Sequence, residues 1–189
     1  MGVTWRTVLV LSAAAWGALG QTGADVPADA IAIKIVPART FLVHRQAIKS
    51  LDETGPIEFT VVPRIKRKLK SLGYDPIPPI EVHVFFEGDD IQELETARYA
   101  ARQFEVAAAI DKAPEEDLGQ FTTKQSGAYR CLSLVFKGSP LESSKYWATL
   151  YDAAKARKLT AASENREIAL SREGYDPGKY TTELQLGIK

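Results

Sequence analysis

Residues 139–142 read Ser-Pro-Leu-Glu, and residues 55–58 read Gly-Pro-Ile-Glu. In each tetrapeptide a cap-forming residue precedes proline at the first helical position, and glutamate follows where its charge favours the helix N-terminus. The pairing of Ser139 with Glu142 also predicts a full capping box. Two helices therefore begin with matching signals in the two parts of the chain, which indicates a duplicated unit.

The elements around these helix starts are predicted to follow one order in both halves. In the first half, about residues 31–112, a turn at Pro37-Ala38 joins two strands into a hairpin, and a helix and two more strands follow. The second half, about residues 118–189, repeats this order, so the pattern predicts an α+β fold of two ββαββ halves. The predicted strands cover residues 31–36, 40–47, 80–86, 103–110, 120–125, 129–136, 166–170 and 181–188, and the helices cover residues 56–72 and 140–158.

Each predicted helix carries one apolar stripe that can pack on the sheet. Pro63 falls inside the first helix and should either kink it or move its start toward Val62. A basic cluster on the same helix lies mostly off the stripe, and because the charges of the whole chain balance, we expect a solvated surface there. The stripes are Val61, Ile65, Leu69 and Leu72, and Trp147, Leu150, Tyr151 and Ala154; the basic cluster is Arg64, Lys66, Arg67, Lys68 and Lys70.

The last strand of each half presents a carboxylate followed by small or polar residues on one face. Period-two alternation directs the apolar residues toward the helices and places Glu105 and Glu183 on the opposite faces. Such a face can either line a ligand cleft or contact solvent, and alternation does not distinguish these two interpretations. The preceding strands align Glu81 with Glu167. Four carboxylates that converged on one cleft would raise one another's pKa and suit cation recognition or acid/base chemistry.

The first twenty residues differ from the rest of the chain, because Arg6 is their only charge and an apolar run from Val8 to Leu19 ends before polar Gln21. This pattern predicts a signal peptide over residues 1–20 and export to the periplasm or the cell exterior. The run is shorter than the ~20 apolar residues that span a bilayer, so an uncleaved membrane anchor is the alternative. Residues 21–30 are a predicted linker, and residues 31–189 are one domain.

Composition and isolated reactive residues argue against several classes of function. Lys+Arg and Asp+Glu number 24 each, which gives no electrostatic reason to expect a nucleic-acid partner. Cys131 is the single cysteine and lies in an apolar stretch, where free cysteine is usually a small buried hydrophobe. Neither His44 nor His83 has another His or a Cys at metal-ligand spacing, so we expect no metal site and no cofactor.

Five short segments carry a family resemblance: residues 34–39, 136–140, 147–151, 166–168 and 182–186 read Lys-Ile-Val-Pro-Ala-Arg, Phe-Lys-Gly-Ser-Pro, Trp-Ala-Thr-Leu-Tyr, Arg-Glu-Ile and Thr-Glu-Leu-Gln-Leu. Their order and spacing resemble the GyrI-like family of small-molecule-binding proteins, which is also the effector-binding domain of AraC-type and multidrug-responsive bacterial regulators. The resemblance implies a curved antiparallel sheet with two helices on one face. It also implies a pseudo-twofold cleft lined by aromatic and acidic residues.

The resemblance assigns ligand-binding roles to Glu167, Glu183, Trp147 and Tyr151, and Glu105 joins them from the corresponding strand of the first half. The predicted site is therefore asymmetric and weighted toward the second half. The DNA-binding helices of the regulators have no counterpart in this sequence, so we do not expect a transcription factor. The expected partner is a small molecule.

The favoured function is non-catalytic binding of a small hydrophobic or cationic molecule in the cleft between the halves. The alternative is a hydrolase of reactive, cyclopropane-type molecules, as some GyrI-like proteins are, with Glu183 and Glu167 as the catalytic carboxylates. Haem or another tetrapyrrole, which the similar SOUL proteins bind, is less favoured because neither histidine falls among the second-half cleft residues. An interaction domain whose cleft is filled by its own side chains, including Trp147, also stays open.

Overall fold

The computed structural model describes residues 30–88, 94–171 and 177–189, so the predicted signal peptide and almost all of the predicted linker lie outside the described residues. Within the described part, eight strands form one antiparallel sheet and three α-helices accompany it, which confirms the predicted α+β class. The strands are β1 (Ile31–Val36), β2 (Arg39–Ala47), β3 (Ile80–Phe86), β4 (Ala101–Ile110), β5 (Thr122–Ser126), β6 (Tyr129–Lys137), β7 (Ala161–Ser171) and β8 (Thr181–Ile188), and the helices are α1 (Thr54–Ser71), α2 (Leu94–Ala100) and α3 (Ser143–Ala156).

The order of the strands across the sheet is β1-β6-β8-β7-β3-β4-β2-β5. The central pair, β7 and β3, joins the two halves. Strands β3, β4 and β2 come from the first half, and β7, β8 and β6 come from the second. The outermost strand on each side comes from the opposite half, because β1 pairs with β6 and β5 pairs with β2. The order is unchanged when the halves are exchanged, as a duplicated chain with pseudo-twofold symmetry requires.

The predicted hairpin at Pro37-Ala38 is wrong, because β1 and β2 do not pair with each other. Instead, β1 pairs with β6 from residues 31 and 134 to residues 36 and 129, and β2 pairs with β5 from residues 39 and 126 to residues 43 and 122. Both ladders keep one register. Residues 31–43 and 122–134 therefore form one long antiparallel ribbon, here called the exchange ribbon, which bends at residues 37–38 and 127–128.

The exchange ribbon forces the sheet to curl. Strands β1 and β2 are six positions apart in the sheet, which in a flat sheet corresponds to about 29 Å at the usual spacing of neighbouring strands. The chain from Val36 to Arg39 spans at most about 11 Å when fully extended. Because the two strands are joined by so short a connection, the sheet must bend until its two ends approach each other.

The curled sheet has two faces of different character. The helix face carries the main hydrophobic core, in which α1 and α3 pack on apolar side chains of β3, β4, β6 and β8. The other face, here called the inner face, is largely polar and yet mostly buried, because the bent ribbon lies across it. Inner-face side chains include Phe41, Glu81, His83, Glu105, Arg166, Glu183 and Gln185, and helix-face side chains include Val82, Phe104, Glu167, Leu184 and Leu186.

The helices differ from the prediction in several details. The second predicted helix begins as a 3₁₀ turn at Pro140–Glu142, in which the Ser139 hydroxyl accepts from the Leu141 N–H, and α3 begins only at Ser143. Pro63 lies inside α1, which continues through it, so the predicted later start is wrong; burial of Val62 and Ile65 against the sheet offsets the lost hydrogen bond. A 3₁₀ turn at Leu51–Glu53 leads directly into α1, which begins earlier than expected. The seven-residue helix α2 was not predicted. The basic cluster on α1 is exposed or half-buried, as expected.

Strand β7 begins at Ala161, five residues before its predicted start, and its pairing with β8 is irregular between residues 161 and 165. Gly187 of β8 faces this irregularity. A Cβ atom built on Gly187 would lie 2.3 Å from the main-chain oxygen of Glu164. The absence of a side chain at Gly187 is what allows the two strands to approach each other there.

We therefore expect Gly187→Ala to lower the free energy of unfolding by about 1–3 kcal/mol, the usual cost of overpacking. Gly127→Ala is the matched control, because a Cβ atom at Gly127 meets nothing within 4 Å; its stability should stay within about 0.5 kcal/mol of the unmodified chain. Urea unfolding of both variants measures the difference. Equal stability of the two variants would contradict this account of β7 and β8.

Candidate functional site

The predicted site residues do not all come together, because the sheet separates Glu167 and Trp147 from Glu105 and Glu183. Glu167 lies opposite Val82 and Leu184 and so shares the helix face with them. Glu183 lies opposite Ile168 and faces the inner side. In a strand a shift of one residue moves a side chain to the other face. The single cleft containing both glutamates is therefore wrong as a geometric prediction, although a ligand-binding role for each residue stays a prediction.

The predicted equivalence of Glu81 and Glu167 fails for the same reason. Glu81 pairs with Ile168, whereas Glu167 pairs with the neighbouring Val82. The proposed alignment of the two strands was shifted by an odd number of residues relative to the structure. Glu105 and Glu183 do share the inner face, as alternation predicted, and Glu81 joins them there.

Glu167 lies in a pocket between the two halves on the helix face, here called the helix-side pocket. Glu58 of α1 contributes a second buried carboxylate, and the side chain of Trp147, which is 1% exposed, contributes the main aromatic surface. The free volume is about 10 Å³, barely the space of one water molecule, so the pocket is closed. It is lined by Leu51, Thr54, Glu58, Val82, Val84, Phe104, Trp147, Asn165, Arg166 and Glu167.

Tyr151 packs next to this pocket rather than within its lining. It is buried in the main core, and its hydroxyl oxygen accepts a hydrogen bond of 2.9 Å from Nδ2 of Asn165. Burial raises the pKa of Tyr151 well above its usual value, and the hydrogen bond from Asn165 lowers it by less. The tyrosine is therefore neutral and holds Asn165, a lining residue, in place.

Glu105 is the centre of a charged network on the inner face. Arg45 donates to its carboxylate from Nε at 2.7 Å, and Nζ of Lys124 donates at 2.8 Å. Burial alone would raise the pKa of Glu105, but the neighbouring His83 ring, the hydrogen bonds from Lys124 and Arg45 and the charge of Lys124 lower it to about 2. The carboxylate is fully buried and ionised, which makes it a structural anion rather than an accessible ligand contact.

His83 lies beside Glu105 and is fully buried. Its Nε2 is 3.0 Å from Oε2 of Glu81, and its Nδ1 is 3.6 Å from Oε2 of Glu105. The ring of Phe41 meets it edge-on at 5.1 Å. The sequence pattern shows His83 only as a lone histidine on a strand. Alternation within β3 places it on the same face as Glu81, but only the strand pairing brings Glu105 beside it. Because the ring is fully buried, with Nε2 against Glu81 and Phe41 edge-on to it, His83 is not placed to ligate a haem iron.

Arg166 is a second buried residue of the network that sequence reasoning missed. Its Nε donates to Oε1 of Glu164 at 2.8 Å. Its guanidinium carbon lies 4.0 Å from the ring centroid of Tyr129 and 5.7 Å from that of Phe41, within cation–π range of both. Cys131 is nearby and buried, as predicted, and burial and the charge of Glu183 raise the pKa of its thiol to about 11.

Glu183 belongs to the inner face and has its own set of donors. Its Oε1 accepts hydrogen bonds from Lys34 at 2.8 Å, Ser133 at 2.7 Å and Gln185 at 2.9 Å. Burial raises the pKa of Glu183, but the hydrogen bonds from Lys34, Gln185 and Ser133 together lower it below its ordinary value. It is therefore an anion at neutral pH.

The described residues contain neither a candidate metal site nor a helix that could cross a membrane. Across residues 30–88, 94–171 and 177–189, three or more His, Cys, Asp or Glu side chains nowhere gather in a way that could hold a metal ion. The helices of this same part of the chain are all too short or too polar to cross a membrane.

Comparison with known proteins supports the fold. The chain matches no protein-family model and no curated protein sequence. Among solved structures, the EcmrR C-terminal domain aligns with a TM-score of 0.64 and 12% identity, covering 84% of this chain and 96% of that one. SAV2435 bound to tetraphenylphosphonium aligns with a TM-score of 0.60 and 10% identity, covering 84% of this chain and 93% of that one. A hydrolase encoded by lin2189 from Listeria innocua aligns with a TM-score of 0.51 and 17% identity, covering 84% of this chain and 91% of that one.

Identities this low concern the fold alone. They agree with the GyrI-like fold that the sequence resemblance implies, including a curved antiparallel sheet with α1 and α3 on one face.

The lowered pKa of Glu105 predicts a specific pH dependence of stability. Because the folded-state pKa of about 2 lies below the ordinary 4.5, ionised Glu105 stabilises the fold above pH 4.5 by on the order of 3 kcal/mol, and this contribution is lost as pH falls toward 2. Glu105→Gln should therefore be less stable than the unmodified chain at neutral pH, and the gap should narrow as pH falls through this window.

Urea unfolding across that pH range measures the gap. Glu87→Gln serves as the control, because the Glu87 side chain is largely exposed in its ion pair with Arg102, and such pairs contribute little. A gap between Glu105→Gln and the unmodified chain that does not change with pH would contradict the ionised, hydrogen-bonded state of Glu105.

Proposed function

We propose that the chain binds a small hydrophobic cation in the helix-side pocket without transforming it chemically. The observation that carries this proposal is the pair Glu58 and Glu167, which come from different halves and are both buried in the same pocket among apolar side chains. In an apolar pocket the attraction between a carboxylate and a cation is stronger than in water. A cation placed between the halves lies close to both carboxylates at once.

The other walls of the pocket suit the apolar part of such a ligand. Val82, Val84 and Phe104 of the sheet offer aliphatic and aromatic surface, and Trp147 is the side chain best suited to a cation–π contact. SAV2435, which shares the fold, has been solved with tetraphenylphosphonium, a hydrophobic cation. That ion is therefore the natural first probe for this chain.

The closed state of the pocket is part of the proposal. With a free volume of about 10 Å³, the pocket cannot admit a ligand unless Trp147 or the helix that carries it moves. In the absence of ligand, Trp147 occupies the place that the ligand takes. The free energy needed to displace Trp147 weakens binding. The pocket therefore favours ligands with enough apolar surface to replace the Trp147 side chain.

A Glu-dependent hydrolase is the second candidate. Two carboxylates in one pocket can share the roles of general acid and general base, and a hydrolase from Listeria innocua has the same fold. This candidate requires turnover. Consumption of a reactive electrophile by the unmodified chain, and its loss in Glu167→Gln, would favour catalysis over simple binding.

The proposal also includes export. Residues 1–20 carry the sequence pattern of a signal peptide, and on this basis the chain meets its ligand in the periplasm or outside the cell.

Isothermal titration of the full chain with tetraphenylphosphonium tests the binding site. Glu167→Gln and Glu58→Gln should each weaken binding by about tenfold or more, because a charge-assisted contact in an apolar site contributes about 1.5–3 kcal/mol. Glu183→Gln makes the same chemical change on the opposite face, and it should alter the affinity by less than about twofold, within the usual range of distant substitutions.

Neutral triphenylphosphine oxide serves as the ligand control and should bind the unmodified chain more weakly than the cation. Loss of binding in Glu183→Gln with unchanged binding in Glu167→Gln would place the ligand on the inner face and contradict the proposal.

A further inference from the structure

A separate groove lies on the inner face, at the bend of the exchange ribbon. It has a volume of about 250 Å³, slightly below the range of drug-sized pockets. The connection from Val36 to Arg39 forms one wall, and β3, β7 and β8 form the floor. Because the groove lies on the opposite face from Glu167, it is independent of the helix-side pocket. Its lining is Lys34, Val36, Pro37, Arg39, Pro79, Glu81, Ala109, Ile168, Leu170, Glu183 and Gln185.

Gln185 lines this groove and has an unsatisfied acceptor. The side chain is 1% exposed, and its Nε2 donates to Oε1 of Glu183 at 2.9 Å, which fixes the orientation of the amide. Its Oε1 is buried and has no hydrogen-bond partner among the described residues. A buried acceptor without a donor costs about 1–3 kcal/mol. The amide oxygen is therefore ready to accept a hydrogen bond from a molecule in the groove.

The two carboxylates of the groove also have capacity to accept. The three donors to Glu183 all bind Oε1, which leaves Oε2 without a hydrogen bond from the described residues. Glu81 and Glu183 flank Ile168 on neighbouring strands, which puts their main chains about 10 Å apart. Apolar Ile168 therefore lies between two anionic ends of the groove.

Two cations balance these carboxylates at the groove entrance. Nζ of Lys34 lies 2.8 Å from Oε1 of Glu183, and a guanidinium nitrogen of Arg39 lies 3.9 Å from Oε1 of Glu81. Their side chains are 49% and 46% exposed, so both can turn toward a ligand. The carboxylate side chains are 6% and 4% exposed, so each pair joins a buried anion to a cation that reaches solvent.

We propose that this groove is a second ligand site, for a zwitterion of about dipeptide size with an apolar side chain. The ligand ammonium donates to Oε1 of Gln185 and Oε2 of Glu183, and the ligand carboxylate accepts from Lys34 and Arg39. The two cations and two carboxylates of the groove sum to no net charge. A simple cation or a simple anion gains less there than a molecule that carries both charges. Ile168 and Pro37 contact the apolar side chain.

Isothermal titration of the full chain with the dipeptide L-leucyl-L-leucine tests the proposal. The dipeptide should bind. Its N-acetylated form, which lacks the ammonium, and its C-terminal amide, which lacks the carboxylate, should each bind about tenfold more weakly or worse, because each loses one charge-assisted contact. Saturating tetraphenylphosphonium should not displace the dipeptide. Equal affinities for all three forms, or no binding of the free dipeptide at millimolar concentration, would overturn the proposal.

Substitutions locate the site. Gln185→Met keeps the volume of the side chain but removes the acceptor, and it should weaken binding of the dipeptide by about tenfold. Because Gln185 is buried, an exposed position provides a second test: Lys34→Met should prefer the free dipeptide over its C-terminal amide less strongly than the unmodified chain does, since only Arg39 then remains to bind the carboxylate. Glu87→Gln, remote from both sites, is the control. If Lys34→Met still prefers the free carboxylate as strongly as the unmodified chain, the assigned orientation is wrong.

Discussion

One antiparallel register, residues 31–43 against residues 122–134, determines the shape of the whole sheet. The ribbon that keeps this register runs between opposite edges of the sheet and bends where Pro37 and Gly127 interrupt its pairing. Because it spans the two edges through so few residues, the sheet curls and its inner face is removed from water, although the described helices α1 and α3 pack on the opposite face. Burial of polar side chains there is stable only where they satisfy one another. The network of Glu105, His83 and Arg166 is the consequence.

The curl also gives the two faces different chemistry. On the helix face, α1 and α3 bury an apolar core around two carboxylates, of which Glu167 lies at the junction of the halves. On the inner face, cations accompany the carboxylates of the network and groove: Arg45 and Lys124 for Glu105, Lys34 for Glu183, Arg39 for Glu81 and Arg166 for Glu164. The two proposals follow this difference: a hydrophobic cation for the helix-side pocket and a molecule of balanced charge for the inner groove. A spacing of one residue along β7 separates the two environments.

Much of the fold followed from local signals in the sequence. Capping residues at Ser139, apolar stripes on both helices and alternation in β4 and β8 identified the elements and the faces of Glu105 and Glu183 correctly. The exchange ribbon could not be found in this way, because a proline and a small residue between two strands are typical of a hairpin, and the true partners lie about ninety residues away. Glu81 and Glu167 were misaligned because each is followed by a similar run of residues, Val-His-Val or Ile-Ala-Leu, whereas only the pairing of β3 with β7 fixes the face. His83 was missed because its three carboxylate neighbours come from three strands.

The central claim is that the sheet divides Glu167 from Glu183 and that a hydrophobic cation goes to the helix face. A crystal structure of the full chain grown with tetraphenylarsonium tests it directly, because the anomalous signal of arsenic marks the position of the ion without reference to any variant. The account predicts one arsenic peak between α1 and α3, with Trp147 displaced and Glu167 and Glu58 as the nearest carboxylates. An arsenic peak in the inner groove, beside Glu81 and Glu183 with Trp147 still in its closed position, would contradict it.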